Sequence, residues 1–214
     1  MTRAGGARVL HAAVLAVAST GLGLEVARVF TEGPGAAGST LERLVRLFSY
    51  FTILSNLLVA VVAALLVLDP RRDGRVFRVA RLDGVVCIAV TGLVYVTVLR
   101  GVADLTTAGQ VSNALLHYLC PPLCVLVWLL TGPRPRIDAR TLAWTPVAPL
   151  AWVAYTFVRG AVVGWYPYPF LDVTLHGYAG ALGATLVVAV LLLALAALAG
   201  FLDRTLPPEP GDPA

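Results

Sequence analysis

The sequence predicts an all-α, polytopic membrane protein: a bundle of six transmembrane helices. Three observations carry this. Of 214 residues, 58% are hydrophobic and 13% charged, whereas a water-soluble domain carries about 25% charged residues. Six apolar runs approach the roughly 20 residues that a helix needs to cross the hydrocarbon core. Short connections rich in glycine and proline separate them, and no water-soluble domain fits in the remainder. The predicted domain is 1–206, with spans at 9–30, 47–68, 83–101, 110–131, 141–160 and 175–202.

The first run follows Arg3 and Arg8 and contains Ala16-Val17-Ala18, an arrangement that also suits a cleavable signal peptide. Its apolar character continues to Phe30, long enough for a full crossing, so an uncleaved helix is expected. Gly33-Pro34-Gly35 ends it. The second run holds Ser49, Thr52, Ser55 and Asn56 and closes at Asp69-Pro70. The third ends at Arg100. The fourth carries Asn113, His117 and the pair Pro121-Pro122, and stops at Gly132-Pro133-Arg134-Pro135. The fifth ends at Arg159 and is followed by Tyr166-Pro167-Tyr168-Pro169. In the sixth, Gly177, Gly180 and Gly183 recur every third residue, which predicts close approach of a neighbouring helix. The tail 207–214, PPEPGDPA, is expected to be disordered.

The net charge of +4 comes from arginine alone, since the chain has no lysine, a bias that suggests a GC-rich, bacterial genome. The arginines lie between apolar runs, where they set orientation rather than bind nucleic acid. Eleven fall at the termini and in the second and fourth connections, and five on the opposite side. The positive-inside rule then puts both termini in the cytoplasm of an integral plasma-membrane protein. Cys87, Cys120 and Cys124 lie in apolar runs and read as small buried hydrophobes.

In this frame Thr52 and His117 sit at similar depth near the outer surface, roughly 8 and 10 Å from the ends of their spans at ~1.5 Å per residue. Polar side chains are costly in hydrocarbon and often mark a working site. Ser49, Thr52 and Asn56 share one helical face, as do Asn113 and His117, and Pro121-Pro122 predicts a kink beside the histidine. Glu25, Arg100, Arg159, Asp172 and His176 fall on the same outer side. Each also has a plainer reading. A membrane threonine usually bonds back to its own helix, and Ser55 and Asn56 serve as interhelical glue. The charged residues serve as interface anchors or a structural ion pair, and Trp165, Tyr166, Tyr168 and Phe170 as an interfacial aromatic belt. His117-x2-Cys120-x3-Cys124 invites a metal, but no partner cluster supplies the remaining ligands. A haem between His117 and His176 is conceivable, yet a b-type cytochrome offers more paired histidines than the three here. No metal or organic cofactor is expected.

At these residues the chain resembles a known family. Tyr50-Phe51-Thr52-Ile53 is similar to the aromatic-rich threonine motif of the androgen-induced and androgen-dependent TFPI-regulating membrane proteins. Asn113-x3-His117, with Pro122 five residues on, resembles their histidine segment, and Tyr168-Pro169-Phe170-Leu171-Asp172 their Tyr-Pro-Phe-Leu-acid segment. The three motifs come in the family's order over residues 10 to 202. The chain departs in having Phe51 before the threonine, a doubled proline and different loops. The resemblance implies six helices and hydrolysis of lipid esters, fatty acid esters of hydroxy fatty acids in the animal relatives. Thr52 is then the nucleophile and His117 the general base. Asn56 or Asn113 is the expected oxyanion donor, and Glu25 or Asp172 a third member. Arg100 or Arg159 is expected to hold a substrate carboxylate, with His176 nearby. The competing expectation is a transporter or lipid-binding membrane protein with an outward-opening polar cavity.

Overall fold

The computed structural model describes residues 3–102 and 105–207, so the expected disordered tail, apart from Pro207, lies outside the described residues. Those residues form an all-α bundle without strands. Six helical segments are long and apolar enough to cross a membrane: Ala4–Thr31, Phe51–Leu68, Arg75–Leu99, Thr107–Leu130, Ala139–Val163 and Val173–Thr205. The helices are α1 (Arg3–Thr31), α2 (Thr40–Ser49), α3 (Phe51–Leu68), α4 (Arg75–Val94), α5 (Thr107–Asn113), α6 (Cys120–Leu130), α7 (Ala139–Trp144), α8 (Val147–Val163) and α9 (Val173–Thr205). Two π-helical turns, Tyr95–Leu99 and Ala114–Leu119, extend α4 and join α5 to α6.

Several boundaries differ from expectation for identifiable reasons. Residues 47–49 do not begin the second span. They end α2, a separate amphipathic helix capped by Ser39, whose side chain accepts the Glu42 N–H. The chain turns extended at Tyr50 (φ −73°, ψ 130°) before α3 starts. Arg159 donates to Glu42 at 2.7 Å, Ser49 Oγ meets Tyr155 OH at 2.8 Å, and Trp152 Nε1 donates to the Ser49 carbonyl at 2.9 Å. These pairs run α2 antiparallel beside α8. The third span begins well before residue 83, at Arg75, because its arginines have local partners. Arg78 forks onto Asp73 at 2.7 Å, and buried Arg81 donates to the carbonyls of Thr131 (2.9 Å) and Gly132 (2.8 Å). That bond also satisfies carbonyls left over where α6 ends.

Among the described residues the buried apolar side chains form three clusters, of which the third joins Val29, Leu47, Ile53 and Leu116. Leu82, Val86, Val90, Trp128, Leu192 and Ala196 pack α4 against α6 and α9. Val14, Ala18, Val59, Ala63, Ile88 and Val127 pack α1 and α3 against α4 and α6. The outside is as apolar as the inside: Val187 and Val158 are 70% and 68% exposed, as expected where lipid rather than water is the solvent. At one end, Glu32 collects Arg28 (2.9 Å), Arg43 (2.8 Å) and Thr106 (3.0 Å), tying α1 to α2 and α5. The Arg28 hydrogen bond, then that of Arg43, holds its carboxyl down at about 2. At the other end, Asp203 Oδ2 accepts the Arg136 (2.6 Å) and Ile137 (2.7 Å) amides and pins the end of α9.

The glycines expected to admit a neighbouring helix do something else. Gly177 is a kink with φ 64°, and a Cβ on Gly183 would meet nothing within 4 Å. Close approach occurs instead at Gly92, where a Cβ would stand 2.8 Å from Pro121 Cβ, and at Gly160, where it would stand 2.1 Å from the Tyr166 ring. Gly160 therefore seats the loop between α8 and α9. Gly160→Ala is expected to cost about 1–3 kcal/mol by overpacking and to lower the thermal midpoint in detergent. Tyr166→Ala in the same chain is expected to restore part of that loss, the coupling that direct contact produces.

Candidate active site

The site forms where three irregular pieces of backbone meet: the break before α3, the π turn carrying His117 and the loop carrying Tyr168. Several Thr hydroxyls with a helical turn behind them bond back to it, as Thr185 does to Ala181 (2.8 Å), Thr131 to Val127 (2.7 Å) and Thr145 to Thr141 (3.0 Å). Thr52 is the second residue of α3, beyond the break at Tyr50. It has no carbonyl one helical turn behind it to accept its hydroxyl. Its Oγ1 lies instead 3.2 Å from His117 Nε2 and 3.2 Å from the Tyr168 hydroxyl. Thr52 itself is only 6% exposed.

His117 reaches Thr52 from the π turn, in which Cys120 N–H bonds the Leu115 carbonyl five residues back. The wider turn accommodates Pro121 and Pro122, which lack N–H groups for a regular helix. Its imidazole stacks on Tyr95 with centroids 4.1 Å apart and planes at 28°. Tyr95 opens the other π turn. Nδ1 of His117 is buried beside the Asn113 carbonyl without completing a hydrogen bond. Asn113 Nδ2 donates to Tyr95 OH at 2.7 Å, bracing the ring behind the imidazole.

Tyr168 is the participant that the sequence reading assigned to an aromatic belt. Its buried hydroxyl accepts the Thr52 N–H at 3.1 Å, capping the first turn of α3. Burial pushes its phenol up to about 12, so it remains a neutral hydrogen donor. The oxygen that accepts the amide hydrogen leaves its own hydrogen for Thr52 Oγ1. The Thr52 hydroxyl hydrogen is then free to point at His117 Nε2. One assignment satisfies all three groups.

Two cavities meet at this point. A vestibule of about 570 Å³ opens towards the connections and is lined by Glu25, Arg28, Tyr50, Tyr95, Asn113, His117, Trp165 and Asp172. An apolar chamber of about 190 Å³ lies between α4, α8 and α9. Thr52, Leu99 and Tyr168 border both.

Of the residues singled out from sequence, Thr52 and His117 are in contact, and Asn113, Glu25 and Asp172 line the vestibule. Asn56 is fully buried behind Thr52, with Nδ2 donating to the carbonyls of Thr52 (2.8 Å) and Leu116 (3.3 Å). Its amide hydrogens are engaged, so it positions the threonine and is not an oxyanion donor. Ser49 leaves the Thr52 face altogether, because it belongs to α2. Neither carboxylate reaches His117. Glu25 is held by Arg28 at 2.8 Å and by Ser112, and Asp172 caps α9 through the Thr174 N–H at 2.8 Å. Arg100 and His176 are exposed and line neither cavity. Arg159 donates Nη2 to Glu42 and lies 5.1 Å from the Trp165 ring, which Arg46 also covers at 5.1 Å. All three cysteines are free. Among the described residues no three His, Cys, Asp or Glu side chains gather as metal ligands.

No family model, curated protein or solved structure matches this chain.

Tyr168→Phe removes one oxygen atom and leaves the buried Thr52 amide without a partner. It is expected to destabilise the fold by about 1–3 kcal/mol, measured by denaturation in detergent. Tyr155→Phe is expected to cost less, because Ser49 Oγ keeps its bond to the Val45 carbonyl at 2.7 Å.

Proposed function

We propose that this protein is an intramembrane hydrolase of lipid esters, a relative of the androgen-induced and androgen-dependent TFPI-regulating membrane proteins, with Thr52 as nucleophile and His117 as general base. The observation that carries the reading is the 3.2 Å contact between Thr52 Oγ1 and His117 Nε2. A threonine hydroxyl is a weak nucleophile until a base within hydrogen-bond reach accepts its proton. The free partner that Thr52 lacks in its own helix is supplied by that base.

In the first half-reaction Oγ1 attacks the ester carbonyl carbon and its proton passes to Nε2, while the carbonyl π electrons move onto oxygen. Collapse of the tetrahedral intermediate breaks the bond to the alcohol oxygen, which takes the proton back from Nε2. The acyl group remains on Thr52. Water from the vestibule then gives a proton to Nε2 and attacks the acyl carbon, releasing the acid and restoring the threonine. The intermediate's oxyanion forms beside the amino end of α3, whose helix dipole favours negative charge. The Tyr168 hydroxyl, 3.2 Å from Thr52 Oγ1, is the nearest donor to it. Tyr95 and Asn113 hold the imidazole in line, the task that a carboxylate performs in other triads. No metal or organic cofactor enters these steps. With the termini in the cytoplasm, as the arginine bias argues, the vestibule opens on the outer side.

Discontinuous helices such as the α2–α3 pair also occur in transporters, and the test separates the two readings. Purified protein in nanodiscs is expected to take up a fluorophosphonate probe. Folded Thr52→Ala and His117→Ala variants are expected to lose the label, and ester turnover is expected to fall about 10³-fold or more in each. Absence of labelling and turnover in folded wild type, with saturable lipid binding that survives Thr52→Ala, replaces the hydrolase with a carrier.

A further inference from the structure

The apolar chamber between α4, α8 and α9 has an unusual wall: every polar side chain in it except those at one end is already satisfied. Thr91 Oγ1 is paired with Ser55 Oγ at 3.0 Å, Thr185 donates to the Ala181 carbonyl at 2.8 Å, and Trp152 Nε1 is bonded to the Ser49 carbonyl at 2.9 Å. What remains facing the space is hydrocarbon from residues such as Val90, Val153, Val188 and Leu192. The hydroxyls of Thr52 and Tyr168 stand at one end. A polar ligand finds nothing there to replace its hydration, whereas an alkyl chain loses only water contact.

The chamber also has a mouth. Leu150 on α8 and Leu193 on α9 line it and are 59% and 51% exposed. Both lie inside membrane-spanning segments, so the opening faces the bilayer interior. α8 is tied to α2 through Trp152, Tyr155 and Arg159. Pro146, Pro149 and Leu150, at its other end, line the chamber.

The geometry points to this chamber as an acyl-chain site, entered sideways from the bilayer between α8 and α9, with Ala189 in its wall setting chain preference. The lipid's carbonyl end comes to rest at Thr52, and its polar remainder and the water of reaction use the vestibule. An apolar cavity of ~150 Å³ takes a benzene-sized ligand, so a chamber of about 190 Å³ seats an acyl segment of about six or seven carbons next to the carbonyl. Longer chains run out through the mouth into lipid. The reaction at Thr52 rests on the hydrolase reading above; occupancy of the chamber does not.

The test uses the full chain in nanodiscs and two readouts. In the first, a fatty acid bearing a photoactivatable diazirine is crosslinked and its adducts are mapped by mass spectrometry. Adducts are expected on Val153, Val188 and Leu192, competed by unlabelled fatty acid. They are expected to fall several-fold in Ala189→Leu and at least tenfold in Ala189→Trp, and to persist in Leu198→Trp, which alters a lipid-facing residue of α9 outside the chamber. The second readout is hydrolysis of an ester series from acetyl upward. Rates are expected to climb to about six or seven acyl carbons and then level, and the climb is expected to flatten in Ala189→Trp. If Ala189→Trp does not fold, Ala189→Leu decides the matter by the same criteria. Chamber-specific labelling without any turnover upholds the acyl site and removes the hydrolase. Labelling spread evenly over lipid-facing residues, or chain preference unchanged in a folded Ala189 variant of an active enzyme, overturns the acyl site.

Discussion

The extended residue at Tyr50 interrupts what would otherwise be one helix from α2 into α3, and the candidate site depends on that interruption. A hydroxyl on a continuous membrane helix commonly takes the carbonyl one turn back, the partner that the helix itself supplies. Once the backbone departs from helical geometry, the hydroxyls and amides of the next turn must find partners elsewhere. Thr52 presents both groups at once. Its amide goes to Tyr168, and its hydroxyl lies between Tyr168 and His117. The loop between α8 and α9 and the π turn before α6 meet at the same spot, where they satisfy groups that are costly to leave unpaired in an apolar interior.

The other irregularities follow the same economy. Asn56 covers the Thr52 and Leu116 carbonyls, linking the broken helix to the π turn. The prolines after His117 lie where Gly92 lets α4 come close. Two π turns at one depth put Tyr95 against His117 as a stacked pair. The opposite end of the bundle is conventional by comparison: Arg81 and Asp203 close helix ends with charge-assisted bonds to backbone.

Much of this was legible in the sequence, and the rest was hidden for stated reasons. The six apolar runs and their order are visible because hydropathy over about 20 residues is a strong signal. The shared depth of Thr52 and His117 follows from counting residues from span ends, but which way each side chain points does not. The break at Tyr50 escaped because residues 47–50, with one serine among apolar side chains, continue the hydropathy of the span. Tyr168 was hidden by composition, since a tyrosine among Trp and Pro at a helix boundary looks like any interfacial aromatic. The Ser39-x-x-Glu42 pattern that starts α2 was available as a capping signal and marks that helix in retrospect. The glycine repeat in α9 misled because small residues permit close approach without requiring it.

The two cavities share Thr52, Leu99 and Tyr168. The threonine and histidine come from α3 and the π turn before α6, whereas most of the apolar chamber's wall comes from α4, α8 and α9. Substitutions along one side of α8 or α9 can reshape what fits while leaving Thr52, His117 and their bracing untouched. Under the proposed function, a gene for such a protein can drift from one lipid to another by ordinary single replacements in its last two spans, each tolerated because its neighbours are other hydrocarbons. Divergence among descendants of this chain would then concentrate in those two helices, and the threonine–histidine pair would be inherited as a unit.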